Sequence, residues 1–173
     1  MFTKRNLLTL GVGGASIFAA NRLFGGTDTA IAAADGKFEV VKTEAEWRAQ
    51  LTELQYAVLR EEATERPFTS ALNNEKRAGI FHCAGCDQEV FKSEVKYDSG
   101  TGWPSFWQEV DGNVAFKTDF KLLYPRTEEH CARCGGHLGH VFDDGPQPTG
   151  KRHCINGVAM VFKPADGSAP VMG

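Results

Sequence analysis

Two Cys-x-x-Cys pairs constrain the fold of this chain more than any other feature of its sequence. Cys83 and Cys86 form the first pair, Cys131 and Cys134 form the second, and residues 87–130 separate them. Each pair makes a tight turn, and two such turns can supply the four thiolates of a closed tetrahedral zinc site. We therefore predict one structural Zn²⁺ ion that joins the turns and closes the segment between them into a β-rich loop.

Two disulfide bonds are the alternative for these four cysteines if the protein is exported, because oxidising compartments permit them. A bridge within a Cys-x-x-Cys turn is strained, and strained bridges are usually redox-active rather than structural. Gly85 and Gly135, which lie within and beside the two turns, are more typical of metal knuckles. The pattern therefore favours zinc.

A fifth cysteine, Cys154, has no cysteine partner near it in the sequence. A lone cysteine is often a small buried apolar residue. Here Arg152 and His153 precede it, and positive charge or hydrogen-bond donors beside a thiol lower its pKa from about 8.5 and favour the thiolate. We therefore predict that Cys154 is a nucleophile.

Two histidines and an aromatic turn provide further candidates for a site. His137 and His140 follow the second cysteine pair directly, and an imidazole can act as a general acid near neutral pH, although either could also be a core residue. Residues 98–107 hold Trp103 and Phe106 among glycines and a proline. Aromatic rings usually pack in a core, but a glycine-flanked Trp-Pro in a loop indicates a pocket wall. We predict that Trp103 forms this wall.

Helix signals come first in the chain and strand signals follow. Two capping boxes, Thr43 with Glu46 and Thr52 with Gln55, predict two short amphipathic helices. After Gly79, period-two patterns predict strands, which makes the domain β-rich. One pattern comprises Val114, Phe116, Phe120, Leu122 and Tyr124. The last predicted strand places on one face Arg152, Cys154, Asn156, Val158, Met160 and Phe162.

Residues 1–34 have the composition of a cleaved export signal. Lys4 and Arg5 precede an apolar stretch that ends at Ala20, and alanines near residue 34 suit a signal peptidase. The stretch is shorter than the roughly twenty apolar residues of a bilayer-spanning helix, so we expect no permanent membrane anchor. The segment resembles a twin-arginine signal with lysine in the first basic position, which leaves the Sec route and an organellar presequence as alternatives.

The expected organisation is one domain after the signal, because 173 residues that are 42% hydrophobic and 24% charged can bury a single core. We predict a linker over residues 35–42, the domain over residues 43–164 and a flexible tail over residues 165–173, with the protein in the bacterial periplasm. The net charge of −3 and the absence of a Lys/Arg run argue against nucleic-acid binding.

The segments GTGWPSF, CARCGGHLGHVFDDGPQPTG and RHCINGVAMVF, together with TERPF at residues 64–68, resemble the B-type methionine sulfoxide reductases, which act on the R epimer. The resemblance extends from about Thr43 to Pro164. It implies a mainly β (α+β) fold of two small packed antiparallel sheets, with the zinc site at one end and the two N-terminal helices at the periphery.

The resemblance also implies roles for individual residues. Cys154 matches the catalytic cysteine, whose thiolate attacks the sulfoxide sulfur and becomes a sulfenic acid. Trp103 matches the ring that holds the terminal methyl group of the substrate. The zinc ligands match Cys83, Cys86, Cys131 and Cys134, and the polar residues around the sulfoxide oxygen match His137, His140 and Asn156. We also expect Phe106 and Arg152 to contact the substrate.

Thr101 occupies the position at which many relatives carry a resolving cysteine. If zinc holds the four paired cysteines, no internal disulfide can form with Cys154. We therefore predict that an external thiol, from a thioredoxin-like or glutaredoxin-like partner, reduces the sulfenic acid directly. The expected substrates are oxidised proteins, and the expected oligomeric state is a monomer.

Two other classes of function fit parts of the sequence. A zinc-knuckle binding module would use the four paired cysteines but would leave Cys154, the histidine pair and Trp103 without a role. A cysteine hydrolase would instead combine Cys154 with a histidine base and an orienting Asn or Asp, which the chain also contains.

Overall fold

The computed structural model describes residues 38–173. The predicted export signal over residues 1–34 lies outside this range, as does the beginning of the predicted linker. Among the helices within the described range, none combines the length and the apolar character that crossing a bilayer requires.

Both predicted capping boxes are present and start the two helices. The Thr43 hydroxyl accepts a hydrogen bond from the Glu46 N–H, and the Thr52 hydroxyl accepts one from the Gln55 N–H. The helices that follow are α1 (Glu44–Gln50) and α2 (Glu53–Glu61). Each box satisfies backbone N–H groups that have no partner within the helix, so these helix starts depend on local sequence alone.

Within residues 38–173, ten strands form two antiparallel sheets. The four-stranded sheet has the order β10-β9-β1-β2, and the six-stranded sheet has the order β3-β4-β8-β7-β6-β5. The strands are β1 (Gly79–Cys83), β2 (Glu89–Lys92), β3 (Lys96–Tyr97), β4 (Ser105–Phe106), β5 (Val114–Asp119), β6 (Arg126–Cys131), β7 (His137–Phe142), β8 (Arg152–Ile155), β9 (Met160–Pro164) and β10 (Val171–Met172). The described part of the chain also has short 3₁₀ helices at Ala71–Asn74, Ser93–Val95 and Gly157–Ala159.

Aromatic rings join the two sheets. Phe106, on β4 of the six-stranded sheet, stacks on Phe91 of β2 with ring centroids 4.3 Å apart and packs edge-on against Phe81 of β1 at 5.0 Å. The predicted fold class, mainly β with two packed antiparallel sheets and N-terminal helices, is therefore confirmed. The expectation that Phe106 contacts the substrate needs correction, because its ring is completely buried in this packing.

Strand β5 is shorter than its period-two pattern predicts. Its pairing with β6 ends at Asp119, whose carboxylate accepts a hydrogen bond from the Lys121 N–H and turns the chain. Residues 120–125 form a loop. The prediction that the period-two pattern continues as a strand through these residues is therefore wrong. The apolar side chains of this loop lie in solvent rather than on a half-buried sheet face.

The last predicted strand is two strands in different sheets. β8 belongs to the six-stranded sheet and β9 to the four-stranded sheet, and the 3₁₀ turn Gly157–Ala159 joins them. The buried Glu65 carboxylate accepts hydrogen bonds from the N–H groups of Gly157 and Val158 at 2.5 and 3.1 Å. These N–H groups therefore bond to a side chain instead of a neighbouring strand, which ends the strand and breaks the predicted common face.

Both ends of the described chain pack on the domain, contrary to the predicted linker and flexible tail. The Val40 N–H donates to the Arg133 carbonyl oxygen at 3.0 Å. At the other end β10 pairs with β9, with Val171 opposite Phe162. The domain therefore begins before Thr43 and continues beyond Pro164, because edge backbone groups and apolar side chains at both ends find partners on it.

Candidate active site and metal centre

The alternation of side chains along β8 decides which residues can act together. Cys154 lies opposite His140 of β7 and Ser105 of β4. Opposite residues in paired strands share one face of the sheet, so thiol and imidazole project to the same side. His153 points to the other side, where its Nδ1 lies 2.5 Å from the buried Glu129 carboxylate. The prediction that His153 acts on the Cys154 thiol is therefore wrong.

A cavity of about 130 Å³ opens beside Cys154. Its volume is below the ~300 Å³ at which pockets begin to hold drug-sized ligands, so it can take the end of one side chain. A larger cavity of about 490 Å³ lies on the opposite face of the sheet and has His153, not Cys154, in its wall. The predicted site residues that line the smaller cavity are Trp103, His140, Cys154 and Asn156.

The Cys154 thiol is partly exposed and experiences opposing influences. Burial raises the pKa of the Cys154 thiol, and the Thr101 hydroxyl and the positive charge of Arg152 offset this only in part. Two N–H groups of Arg152 contact the Asp144 carboxylate at 2.8 and 2.9 Å, which holds the guanidinium in place. The predicted effect of Arg152 is thus present, but burial outweighs it.

A chain of hydroxyl groups leads to the Cys154 sulfur. Ser99 Oγ lies 2.7 Å from Ser105 Oγ and 2.8 Å from Thr101 Oγ1, and Thr101 Oγ1 lies 3.8 Å from Cys154 Sγ. A hydroxyl can donate or accept, so these groups can bond to the thiol and to the thiolate alike. Thr101 is therefore a direct neighbour of the sulfur.

The second polar group of the cavity is His140, which Asp119 and Arg126 hold in place. His140 Nε2 lies 2.8 Å from Asp119 Oδ2, and an Arg126 N–H donates to the same oxygen at 2.5 Å. The Lys121 N–H, and then His140, hold the pKa of Asp119 well below its usual range, so this carboxylate is ionised. Burial lowers the pKa of His140, whereas the Asp119 carboxylate partly restores it.

His137 lies behind His140 and does not line the cavity. Its Nδ1 is 2.9 Å from the Glu128 carboxylate, and its ring meets the His140 ring edge-on with centroids 5.5 Å apart. Its exposed fraction is 3%. The expectation that both histidines face the substrate needs correction, because the Glu128 carboxylate holds His137 in the interior.

Trp103 and Asn156 are both positioned by the backbone of Glu65. The Trp103 indole N–H donates to the Glu65 carbonyl oxygen at 3.1 Å, and the Asn156 side-chain oxygen accepts from the Glu65 N–H at 2.9 Å. The Asn156 amide also donates to the Leu138 carbonyl oxygen at 2.9 Å. The backbone of a single residue, Glu65, therefore aligns two walls of the cavity.

Sequence reasoning missed four residues that line the cavity, namely Thr64, Arg126, Gly139 and Phe142. Phe142 could have been found, because it lies two residues beyond His140 and strand alternation places both on one face. Gly139 could not have been found from the sequence, because its role is to leave space for a neighbouring strand. A Cβ atom there would lie 2.1 Å from the Cys154 carbonyl oxygen, so glycine is required for β7 to approach β8 this closely.

The four paired cysteines converge on one point. All four sulfur atoms lie within 4.8 Å of one another, with Cys83 Sγ 3.7 Å from Cys134 Sγ and Cys86 Sγ 3.4 Å from Cys131 Sγ. Tetrahedral Zn–S bonds of 2.3 Å place sulfurs about 3.8 Å apart, and no cysteine in residues 38–173 is in a disulfide. The disulfide alternative is therefore wrong, and the cluster can hold one metal ion.

The fold carries a small cavity with a partly exposed thiol and, separately, a cysteine cluster that can hold one metal ion. Comparison with known proteins identifies the family. The SelR domain model matches residues 51–164. The peptide methionine sulfoxide reductase MsrB of Hahella chejuensis is 50% identical over 132 residues, which cover 76% of this chain and 95% of that protein. The chain belongs to the B-type methionine sulfoxide reductase family and is an oxidoreductase.

Two further relatives match over similar lengths. The MsrB protein of Agrobacterium fabrum is 53% identical over 127 residues, which cover 73% of this chain and 94% of that protein. The MsrB protein of Pseudomonas putida is 52% identical over 131 residues, which cover 75% of this chain and 98% of that protein. The matched length corresponds to the domain that holds both the cavity and the cysteine cluster.

Proposed function

We propose that this protein reduces methionine-R-sulfoxide in oxidised proteins to methionine, with Cys154 as the nucleophile. The observation that carries the proposal is the placement of a partly exposed thiol in the wall of a side-chain-sized cavity, together with an indole and an imidazole. The Cys154 sulfur attacks the sulfoxide sulfur, and the oxygen ends on Cys154. The substrate sulfur is reduced by two electrons and the cysteine becomes a sulfenic acid, which balances the reaction.

The polar groups of the cavity act on the sulfoxide oxygen, which becomes more basic as the sulfur is attacked. A fixed hydrogen-bond donor beside developing charge lowers the barrier. When protonated, His140 keeps Asp119 on Nε2 and can donate from its other ring nitrogen. Arg126 remains charged at all relevant pH values and supplies a second donor in the same wall.

Trp103 provides the apolar wall that holds the methyl group of the substrate. Its ring is held in place by the bond from its N–H to the Glu65 carbonyl oxygen. A cavity of about 130 Å³ accommodates the end of a methionine side chain but not a larger group. This size supports peptide-bound methionine sulfoxide as the substrate, with the peptide backbone outside the cavity.

The metal in the cysteine cluster is zinc in this proposal. Cys83, Cys86, Cys131 and Cys134 would hold it, and a four-sulfur tetrahedral set is characteristic of structural zinc. A bound ion would cross-link the ends of β1 and β6 and would take no part in the redox step. The four thiolates that hold it would then be unavailable to Cys154.

The sulfenic acid on Cys154 is reduced by an external thiol. The residue beside the sulfur is Thr101 at 3.8 Å, and a hydroxyl cannot form a disulfide. One thiol of a thioredoxin-like or glutaredoxin-like protein then condenses with the sulfenic acid to a mixed disulfide and releases water. A second thiol displaces Cys154 as the free thiol and leaves the reductant oxidised to a disulfide. In this cycle the enzyme works as a monomer, since the described residues supply both cavity walls and nucleophile.

Export to the bacterial periplasm is proposed from residues 1–34, whose basic start and apolar stretch suit a cleaved signal. In that compartment the enzyme would repair proteins under oxidative stress. The N-terminal sequence of the protein purified from a periplasmic fraction tests this: an intact Met1, or recovery from the cytoplasm, would contradict it.

A stereospecific assay tests the proposed reaction. Purified protein with dithiothreitol is expected to convert dabsyl-methionine-R-sulfoxide to dabsyl-methionine and to leave the S epimer unchanged. Cys154→Ser is expected to abolish turnover while metal content is unchanged. Cleavage of peptide or ester substrates would instead favour a cysteine hydrolase, which needs an imidazole bonded to the thiol; the side-chain neighbour of the Cys154 sulfur is the Thr101 hydroxyl.

A further inference from the structure

The loop that connects β5 and β6 exposes an unusual amount of apolar surface. In the described part of the chain, four of the exposed large apolar side chains lie within residues 120–124, which we call the rim loop. Their exposed fractions are 75% for Phe120, 48% for Leu122, 107% for Leu123 and 60% for Tyr124. Single exposed apolar residues are normal, but such a cluster marks an interaction surface.

The rim loop is attached to the cavity at both of its ends. Asp119, immediately before it, bonds to His140, and Arg126, shortly after it, lines the cavity. Within the loop, Lys121 is held by ion pairing to Glu62 and by the bond from its N–H to Asp119. Polar contacts therefore fasten the base of the loop to residues of the cavity, while its apolar side chains remain exposed to solvent.

We propose that the rim loop binds the apolar polypeptide segment that flanks the oxidised methionine of an unfolded protein. This inference rests on the proposed reduction of methionine sulfoxide. The cavity takes only a side-chain end, so the rest of a protein substrate must lie across its rim. Methionine is among the most often buried residues, so a segment around it carries further apolar side chains at the positions that share its buried face. A damaged protein exposes such a segment only when it unfolds.

A further exposed aromatic residue lies on the Trp103 side of the cavity. Phe68 is 73% exposed, and a pocket that it shares with Trp103 adjoins this wall. Its φ angle of 65° is in the left-handed region, which a non-glycine residue adopts only when other contacts hold it. The bond from its N–H to the Gly102 carbonyl oxygen, at 2.7 Å, is one such contact. An extended peptide in the cavity can therefore meet apolar surface on two sides.

The charges around the rim loop favour a polypeptide over a membrane. Binding to anionic lipid requires free basic residues beside the apolar ones. Lys121 is paired with Glu62, and Arg126 is paired with Asp119. A second copy of the chain could also cover the loop, but the attachment of both loop ends to cavity residues argues for the substrate.

The test compares two pentapeptides with methionine-R-sulfoxide at the centre, one flanked by Leu and Val and one flanked by Gly and Ser. The parent protein is expected to show a kcat/KM about tenfold higher for the apolar peptide, through KM rather than kcat. The variant Phe120→Ser/Leu123→Ser is expected to lose this preference and to retain its kcat/KM for the Gly/Ser peptide. Leu54→Ser, an exposed apolar residue on α2, is the matched control.

Each outcome separates the inference from the proposed function. If neither peptide is reduced by the parent, the proposed function fails. If both are reduced and the double variant keeps the preference for apolar flanks, the rim loop is not the docking surface. Sedimentation of parent and variant adds a further arm: a parent dimer that the double substitution dissociates, or co-sedimentation of the parent with anionic vesicles, would assign the loop to another occupant and overturn the inference.

Discussion

At Cys154 the balance between burial and charge sets the reactivity of the thiol. Burial raises the pKa of the thiol, while Arg152 lowers it without cancelling the effect. The thiolate fraction of the resting protein therefore increases with pH through the alkaline range. The Asp144 carboxylate binds the Arg152 guanidinium. We therefore expect a substitution that removes the guanidinium to change the charge near the sulfur and to leave the apolar core filled.

Arg152→Gln is expected to raise the pKa of Cys154 further, because it removes the nearest positive charge. At pH 8 the rate of alkylation of Cys154 by iodoacetamide should fall about threefold to tenfold, and the alkaline rise of the pH profile should move to higher pH. Site-resolved mass spectrometry measures this rate. Lys151→Gln, which removes a neighbouring exposed charge, is the control; equal profiles for both variants would contradict the role of Arg152.

Thr101→Cys is expected to convert the enzyme to a cycle with an internal disulfide. The hydroxyl of Thr101 lies 3.8 Å from the Cys154 sulfur, so a thiol at this position can reach the sulfenic acid. One equivalent of methionine sulfoxide should then give an intramolecular disulfide in the variant and a sulfenic acid in the parent, as judged by mass and by free-thiol titration. Thr101→Ser should behave as the parent, and a disulfide through Cys154 in the parent would exclude the direct cycle.

The 3₁₀ turn between β8 and β9 is the element on which the site geometry depends most. Glu65 binds its first N–H groups, and the backbone of the same residue holds Trp103 and Asn156. Gly157 is needed here for space, because a Cβ atom would lie 1.9 Å from Ser70 Oγ. The turn therefore couples the change of sheet to the alignment of the cavity walls.

Glu65→Ala is expected to destabilise the domain by about 2–3 kcal/mol, because buried N–H groups lose a charged acceptor. Urea unfolding measures this loss. Burial raises the pKa of Glu65, so the stability that depends on its protonated form is present at low pH and lost as pH rises through the folded-state pKa. The parent, but not the alanine variant, should lose stability in this way as pH rises above the usual glutamate pKa of about 4.3. Parallel pH profiles would contradict the assignment.

At the scale of the whole molecule, the cysteine cluster connects the two sheets. Cys83 ends β1 in the four-stranded sheet, and Cys131 ends β6 in the six-stranded sheet. Aromatic packing joins the same sheets elsewhere through Phe106 and Phe91. A metal ion bound in the cluster would therefore be a second connection between them.

Cys131→Ser is expected to lower the metal content and to destabilise the entire domain, because structural metal binding is coupled to folding. Metal analysis and thermal unfolding with and without a chelator measure both effects. Cys154→Ser, which lies outside the cluster, should retain metal and melting temperature. A chelator-treated parent that unfolds at the same temperature as the untreated protein would show that the cluster does not stabilise the fold.

The site was only partly predictable, for reasons that particular residues make clear. The pairing of Cys154 with His140 depends on the register of β7 and β8, which are separated by a loop. His137 has the same residue type and lies close by in the sequence, yet Glu128 holds it in the interior. Arg126 lines the cavity because the pairing of β5 with β6 brings it there. No local pattern near Cys154 indicates this pairing.

The sequence by itself determined the features that depend on a few neighbouring residues. These are the two capped helix starts, the two cysteine turns and the motifs that identify the family. Only the tertiary structure decided that Phe106 belongs to the core, that His153 faces away from the thiol and that β5 ends at Asp119. Those outcomes depend on which strands pair and in which register, and each one-residue change of register moves a side chain to the opposite face.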